Sequence, residues 1–296
     1  RSLLLVDQAG APGEKIRISG GGRCNFTNLR AAPENFLSAN PRFCISALGR
    51  YTQRDFIALV EKHNIAFHEK TLGQLFCDSS AKAIIDMLLA EMGEAGVRME
   101  LSTKVDGIER QGDGFRVALS SGPVEAASVV VATGGKSIPT MGATGFAYTA
   151  AEQFGIAVIE TRPGLVPLTY DADMLERLKP LSGISVDAVV ASGKTRFAEG
   201  LLFTHRGLSG PSILQISSYW RENGEITVDL APGTDIAGHL IAGKSSNGKQ
   251  AVQTALAEHL PKRLATAITE EAALARPLGD SSDKALRQLG DRVNRW

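Results

Sequence analysis

The stretch that most constrains this chain is Gly13–Asn28, GEKIRISGGGRCNFTN. Three consecutive glycines, Gly20, Gly21 and Gly22, follow a short apolar run and precede Arg23, Cys24 and Asn25. Without Cβ, glycine takes positive φ readily and lets a ligand approach its N–H groups. Successive N–H groups of this kind form a concave nest for an anion. Arg23 adds a planar fork of donors matched to phosphate or carboxylate. Asn25, Thr27 and Asn28 add uncharged donors and acceptors. The mixture suits a large, polar, phosphorylated cofactor; on composition alone it equally suits a glycine-rich surface turn.

Around this stretch the chain reads as α/β. Ser2–Val6 is a short apolar run of the kind found in buried parallel strands, closed by Asp7. Thr52 and Asp55 stand at capping-box spacing before a helix, with Asp in place of the usual Glu or Gln. Two short strands are expected around Gly73, and a helix starting near Ser79 or Ser80. Gln111–Gly114 marks a hairpin. Val129–Ala132 reads as another buried strand running into Thr133, Gly134 and Gly135. After about residue 162 the crossovers stop. Short strands separated by turns then suggest an antiparallel, barrel-like insert over 163–234, with Ser209 as a helix cap ahead of Pro211. From residue 235 the pattern is helical. The expected organisation is a Rossmann-like domain over 1–162, a β-rich insert over 163–234 and a helical subdomain over 235–296.

Bulk properties exclude several classes. Lys+Arg and Asp+Glu both number 32 among 296 residues, so net charge gives no case for a nucleic-acid partner. No apolar run approaches the roughly 20 residues that span a bilayer. Three cysteines without C-x-x-C spacing argue against a disulfide framework or a zinc site and fit a reducing cytoplasm. No metal-ligating cluster is apparent from spacing. GKSSNGKQ (Gly243–Gln250) nearly spells a phosphate-binding loop, but Gln250 stands where Ser or Thr must be, so it reads as a solvated loop.

GEKIRISGGGRCNFTN closely resembles a signature of the BaiN-like, aminoacetone oxidase family of FAD-binding flavoproteins. VVVATGGKSIPTMGATG (Val129–Gly145) and LLFTHRGLSGPSILQ (Leu201–Gln215) are similar to later segments of that family, in the same order. The resemblance implies an FAD-dependent oxidoreductase acting on a small organic substrate, with NAD(P)H as a possible electron donor. Asp7 and Val105 would hold the adenosine. Lys15, Gly20, Gly21, Gly22, Arg23, Cys24, Asn25, Thr133, Gly134 and Gly135 would border the rest of the cofactor, with Cys24 as a small buried or backbone-positioning residue. His205 is the candidate catalytic side chain, against the alternative that its loop is structural. A non-catalytic FAD-binding protein and a tRNA-modifying flavoprotein remain as rival readings. The chain opens with Arg1 and enters a strand at once, which reads as a piece of a longer protein. A G-x-G-x-x-G unit would lie upstream of Asp7.

Overall fold

In the computed structural model, which describes residues 2–296, the opening apolar run forms β1 (Leu4–Val6). Next come α1 (Glu14–Ile18), β2 (Asn25–Asn28), α2 (Ile45–Arg50), α3 (Gln53–Lys62), β3 (Phe67–Glu69), β4 (Gln74–Cys77) and α4 (Lys82–Glu94). They are followed by β5 (Arg98–Glu100), β6 (Val105–Gln111), β7 (Gly114–Leu119), β8 (Val124–Ala126) and α5 (Phe146–Gln153). These elements make up the first of two units, residues 1–160.

The crossover from β1 to β5 is parallel, with Leu4 opposite Arg98 and Val6 opposite Glu100. β2, β4 and β3 form an antiparallel sheet, and β6, β7 and β8 a second one. The capping box forms as its spacing implies. The Asp55 carboxylate accepts from the Thr52 N–H at 2.7 Å, and Thr52 Oγ1 accepts from the Asp55 N–H. α3 and α4 enclose a small core in which Val60, Cys77, Ala81, Ile84 and Met87 pack around Cys24. That core fixes the far side of the glycine loop.

Val129–Ala132 departs from expectation. It enters no ladder, and Val130 is 87% exposed. An apolar run becomes a strand only when a neighbour satisfies its backbone, and no described residue pairs with it.

The second unit, residues 161–296, contains β9 (Leu168–Thr169), α6 (Ala172–Leu178), β10 (Ser185–Ser192), β11 (Thr195–Thr204), β12 (Gly207–Ser209) and α7 (Pro211–Ser217). It continues with β13 (Thr227–Asp229), α8 (Ile236–Ser246), α9 (Val252–Leu256), α10 (Lys262–Glu271) and α11 (Asp283–Asn294). Its antiparallel sheet has the order β13-β10-β11-β12-β9. Val190, Leu201, Phe203 and Val228 from the sheet share one core with Leu240, Leu256, Leu264 and Leu286 from the helices. Ser209 does not cap α7. It lies in β12, and Gly210, at φ +94°, holds the cap position because a Cβ there would sit 2.5 Å from Gly200 O. The Gly243–Gln250 stretch is partly helical, since α8 runs through Ser246. Among the described residues no helix is long and apolar enough to cross a membrane. The chain is thus α/β, with a Rossmann-like first unit and a curled antiparallel sheet in the second.

Candidate functional site

Gly20, Gly21 and Gly22 take φ values of +57°, +66° and +86° between α1 and β2. At Gly20 the requirement is steric as well as conformational. A Cβ would lie 2.7 Å from both the Asn25 nitrogen and a Phe76 ring carbon. At Gly21 and Gly22 nothing lies within 4 Å of that position, so their surface is open to a ligand. The loop is pinned from behind. The Cys24 N–H donates to Ser19 O at 3.0 Å, the Cys77 N–H to Arg23 O at 3.0 Å and the Ala81 N–H to Gly22 O at 2.7 Å. Asn25 lies at its base, where the side-chain amide, turned so that Nδ2 faces the carbonyls, donates to Thr27 O at 3.1 Å and Leu75 O at 3.3 Å.

Two further segments come together beside α1. Lys15 on that helix reaches the 133–137 segment, its Nζ donating to Ser137 Oγ at 3.3 Å. The same nitrogen lies 3.8 Å from where a Gly134 Cβ would be. Gly135 lies against the Tyr148 hydroxyl of α5, and the Lys136 ammonium sits 5.2 Å from the centre of the Tyr148 ring. Ile138, a β-branched residue, is held at φ +58°, a strained conformation of the sort concentrated at ligand clamps. Following β1, Gln8 donates to Gly142 O at 2.5 Å and the Thr103 N–H donates to Asp7 O at 3.0 Å. Asp7 Oδ1 accepts from the Ala9 N–H at 2.9 Å. Its backbone lies next to the Thr103–Val105 segment, at the carboxyl end of the parallel pair.

The structure therefore joins Lys15, Gly134 and Ser137 in one group, and Asp7 with the segment leading to Val105 in another. Arg23 is exposed and, like Lys15, has no ion-pair partner among the described residues. Thr133 is exposed beside Gly134. Cys24 is 4% exposed with its thiol in the packed core, so it offers the site backbone only. Burial pushes the neighbouring Cys77 thiol up to about 11, with Cys24 and Asp78 adding to the effect. His205 belongs to the second unit, exposed in the two-residue turn between β11 and β12.

Sequence reasoning passed over three features. Gln8 and Ser137 carry no motif of their own. Residues 29–54 bear Arg30, Arg42, Arg50 and Arg54 against one acid, Glu34, and all four arginines are exposed. In the same segment Phe43 is 81% exposed, Tyr51 54% and Phe36 48%. A groove of about 500 Å³ runs among Thr27, Phe36, Ile45, Leu48, Tyr51 and Phe56, so β2 leads from the glycine loop directly into it. The interleaving of arginine and aromatic residues was the available signal. In the second unit, His239, Glu258 and His259 meet despite having no recognisable ligand spacing.

The family model described as HI0933-like protein Rossmann domain matches residues 1–258. The chain belongs to the HI0933-like family. This HI0933-like chain is 47% identical, over 99% of its length and 72% of the other protein's, to a ribosomal RNA dihydrouridine synthase of Escherichia coli. It is 42% identical, over all of its length and 75% of the other's, to a protein of the same name from Haemophilus influenzae. At 24% identity it resembles a 3-dehydro-bile acid delta(4,6)-reductase of Clostridium scindens, over 78% of this chain and 58% of that protein. HI0933-like proteins are FAD-binding Rossmann flavoproteins of oxidoreductase type.

The donor set of the HI0933-like site fits that cofactor. A dinucleotide brings two diphosphate charges and ribose hydroxyls. Here Lys15 and Arg23 supply two cations without ion-pair partners among the described residues, and the open faces of Gly21 and Gly22 admit a phosphate to backbone distance. Asp7 keeps its second carboxylate oxygen without a donor among the described residues, as a ribose hydroxyl requires.

Proposed function

We propose that this protein is an FAD-dependent reductase that saturates the C5=C6 bond of a uridine in ribosomal RNA. The observation that carries the reading is the 47% and 42% identity, along essentially the whole chain, to two proteins named for that product. The bile-acid reductase is compatible with it at the level of chemistry. A 3-keto steroid with 4,6-conjugated double bonds and a uracil ring both present a C=C bond conjugated to a carbonyl. In uracil, conjugate reduction places hydride on C6, the carbon distal to the C4 carbonyl, and a proton on C5.

When bound, FAD supplies the hydride, and NAD(P)H is the proposed reductant that restores it. The protein's part is position and charge. Lys15, Arg23 and the Gly20–Gly22 backbone offset the diphosphate, and Asp7 orients the adenosine ribose. The thiols of Cys24 and Cys77 are unsuited to proton delivery, being enclosed in the packed core. An RNA substrate needs a further surface, and residues 29–54 have the right chemistry for it. Arg30, Arg42, Arg50 and Arg54 suit phosphates, and Phe36, Phe43 and Tyr51 offer faces on which unpaired bases stack. Net charge is a sum over the whole chain, so a neutral total is compatible with a basic face.

The test uses ribosomal RNA from cells lacking the protein, incubated with the full chain, FAD and NADPH and read by mass spectrometry. The expected result is a gain of two hydrogens at a single uridine. Unchanged RNA alongside efficient reduction of a small cyclic enone would replace the RNA reading with a small-molecule one.

A further inference from the structure

The second unit holds a group of side chains that the proposed reaction does not use. His239 lies in the first turns of α8, and Glu258 and His259 lie just after α9. The ligating atoms of all three fall within 4.8 Å of one another. His239 Nε2 is 3.5 Å from Glu258 Oε2, and the two imidazole rings meet edge to face at 4.3 Å between centroids. Around a tetrahedral zinc with bonds of about 2.0–2.1 Å, ligand atoms stand about 3.3 Å apart.

A second observation points the same way. His259 Nε2 is shut off from solvent yet has no hydrogen-bond partner. Among the described residues only one other buried side-chain polar atom, Tyr170 Oη, shares that condition. Buried polar atoms of native proteins are ordinarily satisfied, and each exception asks for an occupant. An imidazole nitrogen in this position has a lone pair or a proton to offer, and the lone pair suits a metal ion.

The surroundings resemble those of a prepared site. Each histidine is followed in sequence by a core leucine, Leu240 at 1% exposure and Leu260 at 4%, so the ligand backbones are fixed by packing. Glu258 Oε1 accepts from Gln250 Nε2 at 2.8 Å, which leaves Oε2 facing His239. Outer partners of this kind orient metal ligands and sharpen affinity.

We infer that His239, Glu258 and His259 form a binding site for a divalent first-row transition metal, with zinc as the chemically preferred occupant. Two borderline imidazoles with one carboxylate make a donor set that suits zinc, and the two nitrogen ligands disfavour magnesium and calcium, which take oxygen. The side chains of His239 and Glu258 are about half exposed, at 48% and 52%, so water completes the coordination and the ion exchanges with solution. The ion would clip α8 to the end of α9, two elements separated by a short connection.

The experiment is a zinc titration of the full chain after chelator treatment, by calorimetry and by competition with a chromophoric chelator. The wild type is expected to take up one equivalent. His239→Ala and His259→Ala are each expected to weaken that uptake at least tenfold. Circular dichroism checks that the variants fold, and His239→Ala, altering a half-exposed side chain, is the safer of the two. Cobalt substitution provides an independent readout, because a tetrahedral or five-coordinate cobalt site absorbs visible light and hexaaqua cobalt barely does. Absence of stoichiometric uptake by the wild type would overturn the inference. So would uptake weakened less than tenfold in folded His239→Ala, or a cobalt spectrum that the substitution leaves unchanged.

Discussion

Replacing Gly20 by alanine, beside the control Gly21→Ala, separates steric demand from backbone preference in the proposed cofactor cradle. Both glycines are left-handed, at φ +57° and +66°. Each alanine therefore incurs about 1–2 kcal/mol of backbone strain. Each also gains a similar small amount by stiffening the unfolded chain, which cancels between the two. Only at Gly20 does the new methyl meet other atoms, 2.7 Å from the Asn25 nitrogen and from the Phe76 ring. Forcing that contact open adds about 1–3 kcal/mol, so local opening should be roughly 5- to 150-fold easier in Gly20→Ala than in Gly21→Ala. Tryptophan fluorescence cannot report it, since Trp220 and Trp296 both belong to the second unit. The assay is native-state amide exchange at Cys24 and Cys77, whose N–H groups donate to Ser19 O and Arg23 O and so hold the loop. Equal exchange in the two variants, or faster exchange in Gly21→Ala, would refute the steric reasoning.

Three other outcomes follow from the packing and the titrating groups. Gly290→Ala should destabilise the second unit by about 1–3 kcal/mol, because the added methyl would lie 2.5 Å from the Ala237 nitrogen where α11 crosses α8. Urea denaturation followed by tryptophan fluorescence reads it directly. Hydrogen bonds from His63 and then Lys62 lower the pKa of Glu91. A depressed carboxylate stabilises the fold above its unfolded value of 4.5 and loses that contribution as pH falls through the folded value. Glu91→Gln should therefore flatten the acid limb of the stability profile, and also the alkaline limb, because Glu91 raises the pKa of Lys62 and that contribution is lost as pH rises through the folded Lys62 value. For Cys77 the sign is opposite, since a raised thiol pKa means stability that is complete below 9.0 and declines as pH rises toward about 11. In the native protein at neutral pH, a thiol reagent should label Cys44 quickly and leave Cys24 and Cys77 unmodified until unfolding.

Local rules made much of the fold readable. The Thr52–Asp55 box and the Gln111–Gly114 hairpin each depend on a few adjacent residues, and both form. The glycine loop was legible because three neighbouring glycines and an arginine have few joint uses. Val129–Ala132 was misread because strand formation depends on a partner, which an apolar run does not specify. Ser209 was misread because the close approach of Gly200 to Gly210 is a tertiary contact. The pairing of Lys15 with Ser137 spans 122 residues, and the meeting of His239 with Glu258 and His259 depends on how α8 packs against α9. No spacing rule covers either.

The claim on which the account rests is that Gly20–Arg23 and Thr133–Gly135 face the same flavin dinucleotide. Amide exchange of the full chain with and without saturating FAD tests it most directly. The account predicts slowed exchange confined chiefly to Ser19–Asn25 and Thr133–Ser137, with Arg23→Ala weakening FAD binding about tenfold, the loss of one charge-assisted hydrogen bond. FAD binding that leaves both segments exchanging as freely as before, with Arg23→Ala indistinguishable from the wild type, would contradict it.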